Sequence, residues 1–437
     1  MTIDHKFAQE RVKELLDFID KSPSPWHAVS SIEVLLASQG FVRIEEANKW
    51  SLAESGRYYV VRDDSSVILF VTGSQPLSET GFRIVGAHTD SPGLRIKPQS
   101  AHAADGYVRL GVEVYGGPIL ATFSDRDLGI AGRVTVRNGD EVAARLVHFD
   151  EPLLRLPNLA IHMNRKVNEE GLKFNKQTEL PLILAALSEQ LNAQETFLEL
   201  LAEKLEVSAE AILSWELNVY DCQRGALFGL DQLFYANSQL DNLASCHAAV
   251  TALLENGGSA PSATLVCALF DHEEVGSESS KGADGSFLPD ILERIAFSTG
   301  GDGESYKQAL ANSFMISSDM AHAWNPNFPA AYEPEHRVML NEGPVIKLNA
   351  NQRYTSESIS EAMFMCWCEE AGVPWQKYSH RTDIPCGSTI GPMTSARLGI
   401  RSVDVGNPMW GMHSIRESAG VLDHEMMIRV LQQFFSS

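Results

Sequence analysis

Several features are scarce in this chain, and each scarcity narrows what it can be. Six cysteines in 437 residues (Cys222, Cys246, Cys267, Cys366, Cys368 and Cys386), with no C-x-x-C pair, point to reduced thiols rather than a disulfide framework. Positive charge is also short: 35 Lys plus Arg stand against 57 Asp plus Glu, and a formal net charge of -22 argues against electrostatic binding to nucleic acid or anionic membrane. No apolar run is long enough to span a bilayer. The opening MTIDHKFAQERVKELLDFIDK is charged and helix-periodic where a signal peptide would carry an apolar core, so a cytoplasmic protein is expected. Internal repeats and low-complexity tracts are absent as well. What is present is 44% hydrophobic residues over a length that suits two domains or three, an ordinary globular composition.

The periodicities divide the chain. An apolar stripe at Val12, Leu15, Leu16 and Ile19 predicts a first helix, which SPSPW ends, and a second helix is expected from about His27 to Ser38. GRYYVVRDDSSVILFVTG reads as a hairpin and GFRIVGAHTD as a buried strand ending at His88 and Asp90. From 95 to 235 the texture shifts to short β-like runs such as GYVRLGVEVYG and VYDCQRGALFG, plus a helical stretch near 183 to 206. After Ser238 the α/β alternation returns: a helix at 241 to 255, strands SATLVCALF and SFMISS, a helix at 356 to 371, strand IRSVDVG and a closing helix at 422 to 435. The expected fold is α/β, a mostly parallel mixed sheet covered by helices, built from 1–94 and 236–437 and interrupted by an inserted β-rich domain at 95–235. Cys366 and Cys368, two apart on a predicted helix, face different ways, so core packing is expected of them rather than metal binding.

ALFDHEEVGSES runs from a buried strand straight into Asp271, Glu273 and Glu274. Carboxylates crowded away from water need protons or cations. Other polar residues interrupt strand ends in the same way: His88 and Asp90, Asp241 in SQLDNLAS, Asp319 after FMISS, and His413 in NPMWGMHSIRES. In open α/β sheets the carboxyl ends of the strands gather such residues into one site. Two imidazoles and several carboxylates suit a pair of borderline-soft divalent ions, zinc first. Taken singly, each residue has an ordinary reading: a hydrogen-bonded histidine, a turn aspartate, a solvated Glu pair, and for Asp241 a helix N-cap.

HTDSPGL, SQLDNLAS, DHEEVGSESS, SSDMAHA, NANQRYTS and MHSIRE, in this order along nearly the whole chain, resemble the aspartyl-aminopeptidase family of cocatalytic zinc metallopeptidases. The resemblance implies that Asp241 bridges two metal ions, with His88 and Asp319 completing one set of ligands and Glu274 and His413 the other. Glu273 would be the general base for a metal-bridged water, and Asp90 would orient His88. It further implies that His322, Lys347 and His162, the last reaching in from a neighbouring subunit, contact the substrate. Taken alone, Lys347 reads as an exposed strand lysine and His162 as a surface or structural histidine. The chain carries Trp324 and Asn325 where many members have HAVHPN, which removes one pocket imidazole. The implied function is removal of N-terminal residues from peptides, preferring Asp or Glu, within a homo-oligomer that is a tetrahedral dodecamer. A deacylase using the same metal pair, or a catalytically idle metal-binding scaffold, is the rival reading. An aminopeptidase ignores N-acetylated peptides, a deacylase requires them, and the idle reading conflicts with a complete set of ligands and base.

Overall fold

In the computed structural model, residues 3–186, 192–256 and 260–437 are described. Nine strands form the main sheet, in the order Val42–Arg43, Arg57–Arg62, Ser66–Val71, Thr264–Phe270, Phe82–His88, Phe314–Ser318, Arg401–Gly406, Val345–Leu348, Gln376–Ser379. The four central strands, from Thr264–Phe270 to Arg401–Gly406, run parallel and in register, with Phe270 opposite His88 and Ser318 opposite Val405. Their sequences are continuous apolar runs because both faces are covered. On Thr264–Phe270, Leu265, Cys267 and Leu269 pack toward the helices His5–Asp20, Leu240–Asn256, Ser358–Ala371 and Val421–Ser436. The alternate residues Val266, Ala268 and Phe270 pack toward Phe287–Ser298, Gly303–Ala311 and Ile390–Leu398. Strand period two thus distributes one apolar run between two cores.

A second sheet of six antiparallel strands is drawn wholly from Gly93 to Asp221 and is backed by Phe197 and Leu201 of the helix Ala193–Leu205. The helix expected near 183 to 206 is therefore shorter than the sequence suggests. Its start is instead the edge strand Leu182–Ala186, paired with Tyr107–Leu110, and residues 187–191 lie outside the described residues. The two strands closing the β-rich stretch, Ala226–Phe228 and Phe234–Asn237, leave that sheet and join a third one with Glu417–Gly420, Pro408–Trp410 and Ala321–His322. Cys368 is buried in the core, but Cys366 is exposed, because two steps along a helix turn the side chain away from the core. Among the described residues no helix is long and apolar enough to cross a membrane.

Candidate dinuclear metal centre

The in-register strand ends bring the predicted residues together. After Phe270 the chain reverses within one short turn: His272 takes a left-handed φ of 67°, a single 3-10 turn spans Glu273–Val275, and Gly276 follows at φ 102°. The Asp90 carboxylate, just past the neighbouring strand, accepts the backbone N–H of Glu273 and of Glu274, each at 3.1 Å. The three crowded carboxylates then part company. Asp271 is fully buried and is answered by Lys281, whose Nζ lies 3.1 Å from it and 2.9 Å from Asp63. Among the described residues Glu273 and Glu274 have no Lys or Arg partner and lie instead beside His88 and His413.

Asp241 sits at the centre. One carboxylate oxygen is 3.4 Å from His88 Nε2 and the other 3.2 Å from His413 Nε2. Its side chain turns to the imidazoles and accepts no helix N–H among the described residues, so it does not act as the N-cap that its position suggests; its own N–H donates to Glu417 at 3.0 Å. Asp319 lies 3.7 Å from His88 Nε2, and Glu274 3.5 Å from His413 Nε2. Possible ligand atoms gather within 4.8 Å in three sets: His88, Asp241 and Asp319; Asp241, Glu274 and His413; and His88, Glu273 and Glu274. Each histidine is oriented from behind. Nδ1 of His88 meets the Asp90 carbonyl at 3.0 Å, and Nδ1 of His413 meets the Gly117 carbonyl at 3.1 Å. Donation there leaves each Nε2 lone pair aimed into the cluster, the tautomer a metal ligand needs. Asp90 therefore orients His88 chiefly through its carbonyl, while its carboxylate serves the Glu273 turn.

Electrostatics test whether a cation fits. Burial, with Asp319, Asp90 and Asp241 adding to it, pushes Glu273 up to about 8, and burial beside Asp241 pushes Glu274 well above the carboxylate range. Burial alone would lower His413, but its bond to Asp241 outweighs that and raises it to about 9; His88 is raised for the same reason. Left with only their own charges, these groups hold on to protons. Among the described residues, the buried Asp241 Oδ1 meets no well-formed hydrogen-bond donor, with His88 Nε2 its nearest partner at 3.4 Å. The donor set of two imidazoles and four carboxylates thus suits divalent cations of the zinc type.

The cluster floors a cleft of about 590 Å³ whose walls include Glu273, His322, Lys347, Tyr354 and the Gly387–Thr389 loop. Lys347 is buried rather than exposed, because its ammonium is engaged by the Met320 carbonyl at 3.0 Å and by Asp319 at 3.3 Å. The His322 imidazole makes no hydrogen bond among the described residues, and burial, reinforced by Lys347 and His380, lowers it to about 4, leaving a neutral imidazole in the wall. His162 occupies an exposed turn and does not line the cleft of its own chain. Sequence reasoning missed Glu417, which accepts the backbone N–H of both Asp241 and His413; its signal was its place four residues after His413 in MHSIRE. It also missed Lys281, whose Lys-Gly-Ala-Asp surroundings look like any surface turn.

Comparison with known proteins agrees with this geometry. The profile described as aminopeptidase I zinc metalloprotease (M18) matches residues 18–435. The chain is 45% identical over 433 residues to a probable M18 family aminopeptidase 2 of Ectopseudomonas mendocina, covering 98% of this chain and 99% of the relative, and 45% identical over 430 residues to its counterpart in Clostridium acetobutylicum, with the same coverage of each. Among solved structures it resembles Ape4 in the cryo-EM complex of Ape4 and Nbr1 (TM-score 0.96, 37% identity, 100% of this chain and 88% of that one). It also resembles the mApe1 of Chaetomium thermophilum (TM-score 0.87, 31% identity, 99% and 97%) and the S. cerevisiae mApe1 dodecamer (TM-score 0.85, 26% identity, 99% and 96%). Matched along almost its full length, the chain belongs to the M18 family of zinc metallo-aminopeptidases.

Proposed function

We propose that this chain removes the N-terminal residue of peptides at a two-zinc centre, with Asp241 shared between the ions, His88 and Asp319 on one and Glu274 and His413 on the other. The observation that carries this reading is the division of labour between adjacent glutamates: Glu274 closes a three-residue set with Asp241 and His413, while Glu273 is surplus to both sets that contain Asp241 and opens on the cleft. When bound, the zinc ions supply Lewis-acid polarisation of the scissile carbonyl and lower the pKa of water. Glu273 takes the proton of the attacking water and hands it to the leaving amine. Asp90 holds Glu273 in place through its backbone, and Lys347 keeps Asp319 turned toward the cluster.

The preferred N-terminal residue is acidic. A carboxylate entering the cleft loses water and needs donors in return. Lys347 and His322 face it from this chain, and His162 does so from a neighbouring subunit. Residues 95–235 act as the inserted oligomerisation domain of a closed homo-oligomer, a tetrahedral dodecamer. In favour of assembly, Leu159, Ile161 and Met163 around His162 are 67%, 48% and 76% exposed, an apolar cluster suited to a subunit contact. Free cysteines throughout fit a cytoplasmic setting.

A panel of aminoacyl amides offered to zinc-reconstituted protein tests the reading. Free Asp and Glu amides should be cleaved faster than Leu or Ala amides, acetylated controls should be inert, and metal analysis should give two ions per chain. A requirement for acetylated substrates would establish the deacylase instead, and a preference for Leu would remove the acidic pocket while leaving the metal chemistry.

A further inference from the structure

The six-stranded sheet carries none of the proposed ligands, yet its strand Tyr107–Tyr115 and the segment that follows it reach the back of the centre at two points. Tyr115, the last residue of the strand Tyr107–Tyr115, donates its hydroxyl to Asp90 Oδ2 at 2.7 Å. Asp90 is the carboxylate that accepts the N–H groups of Glu273 and Glu274, so its two oxygens receive three donors and one of the three comes from the second sheet. Two residues on, the Gly117 carbonyl takes Nδ1–H of His413. The same segment then grips the His413 turn further: Ile119 N–H donates to the His413 carbonyl at 2.8 Å, and the Thr122 hydroxyl accepts Ile415 N–H at 3.0 Å. Behind Tyr115, the Arg95 guanidinium stacks on its ring at 3.7 Å. Among the described residues Arg95 Nε and Nη2 meet no acceptor, and the guanidinium is held against rings, Tyr115 at 3.7 Å and Trp26 at 5.8 Å.

We infer that Tyr115 is a positioning residue of the dinuclear centre, through which the inserted sheet fixes the Glu273–Glu274 turn from within the same chain. The inference rests on the two-zinc reading above. Asp90 is buried, and without the phenol one of its oxygens loses a charge-assisted hydrogen bond that water cannot readily replace. The turn loosens, and with it the alignment of base and ligand. A partner of this kind is worth roughly 10- to 100-fold in metal affinity or activity.

The test is Tyr115→Phe in the full-length protein, which keeps the ring under Arg95 and removes only the hydroxyl. Zinc affinity, read by chelator competition without substrate, should fall about tenfold, and kcat on an aminoacyl amide by about tenfold or more, with KM within twofold. Tyr220→Phe is the control: it deletes a half-buried hydroxyl of the same sheet, one that donates to the Phe149 carbonyl at 2.6 Å, and should lower stability without changing zinc affinity. If Tyr115 acts through Asp90, Tyr115→Phe should add little to Asp90→Asn in a double-mutant cycle. Should Tyr115→Phe fail to fold, Gly117→Val tests the same strap, because a Cβ there already stands 3.7 Å from His413 Nδ1 and a larger group crowds it; zinc affinity should again fall. Wild-type zinc affinity in the folded variant overturns the inference alone, whereas a wild-type protein that binds no zinc overturns it together with the two-zinc reading.

Discussion

The nine-stranded and six-stranded sheets meet at one centre and serve it in opposite ways. The first is parallel at its middle and covered on both faces, and at the edge where its strands end it gathers the candidate ligands His88, Asp319 and the turn after Phe270. The second is antiparallel, with one helix across it, and offers that edge hydrogen-bond partners and ion pairs instead. Parallel strands in register turn distant sequence into neighbouring chemistry, whereas an antiparallel sheet docked behind them holds the result still.

Substitutions on the two sides should therefore fail differently. The largest effect is expected from Asp241→Ala, which removes a carboxylate facing both imidazoles: activity should vanish and bound zinc fall below one ion per chain by elemental analysis. Two ions retained would mean that Asp241 does not bridge. Next is Glu273→Gln, expected to keep zinc and lose about 10²- to 10⁴-fold in kcat, as general bases do. Near-normal turnover there would assign the proton transfer to another group. The smallest effect on chemistry, and the one that probes the junction, is Lys281→Met. Lys281 bridges Asp271 and Asp63, and Asp63 in turn pairs with Arg133 of the second sheet, which also binds Glu216. Leaving Asp271 buried and unpaired should cost about 3–5 kcal/mol of stability, seen as a lower unfolding midpoint that Lys281→Arg partly restores. If the midpoint holds but activity collapses, the ion pairs position the turn more than they stabilise the fold.

Much of the nine-stranded sheet was legible because its strands are continuous apolar runs whose last residues are polar, a change of character that marks both a strand and its end. The residues that cluster at its edge were legible for the same reason, as breaks in pattern. The second sheet was harder. Leu182–Ala186 and the helix Ala193–Leu205 merge into one Leu- and Glu-rich stretch, and no local signal says that the first part pairs with Tyr107–Leu110. Tyr115 was hidden in GVEVYG, where alternation places it in phase with Arg109 and Glu113 and out of phase with Val112 and Val114, so it reads as a residue facing solvent. Lys347 was misjudged in its ordinary reading because a lysine on a strand is usually solvated, and only the fold brings Asp319 and the Met320 carbonyl to its ammonium. Partners set by tertiary contact, not by local pattern, are what a single sequence leaves out.

The small third sheet joins two parts of the cleft that otherwise read as separate. Ala321–His322 pairs with Pro408–Trp410, which pairs with Glu417–Gly420, and Glu417 holds the backbone of both Asp241 and His413. The wall residue His322 and the turn bearing the candidate ligand His413 thus belong to one hydrogen-bonded ribbon. If peptide binds against His322 and zinc is held by His413, as proposed, a shift of one end of this ribbon is felt at the other, and peptide occupancy and zinc retention would then be thermodynamically linked. Whatever factor one changes the affinity of the other by, the reverse factor is the same.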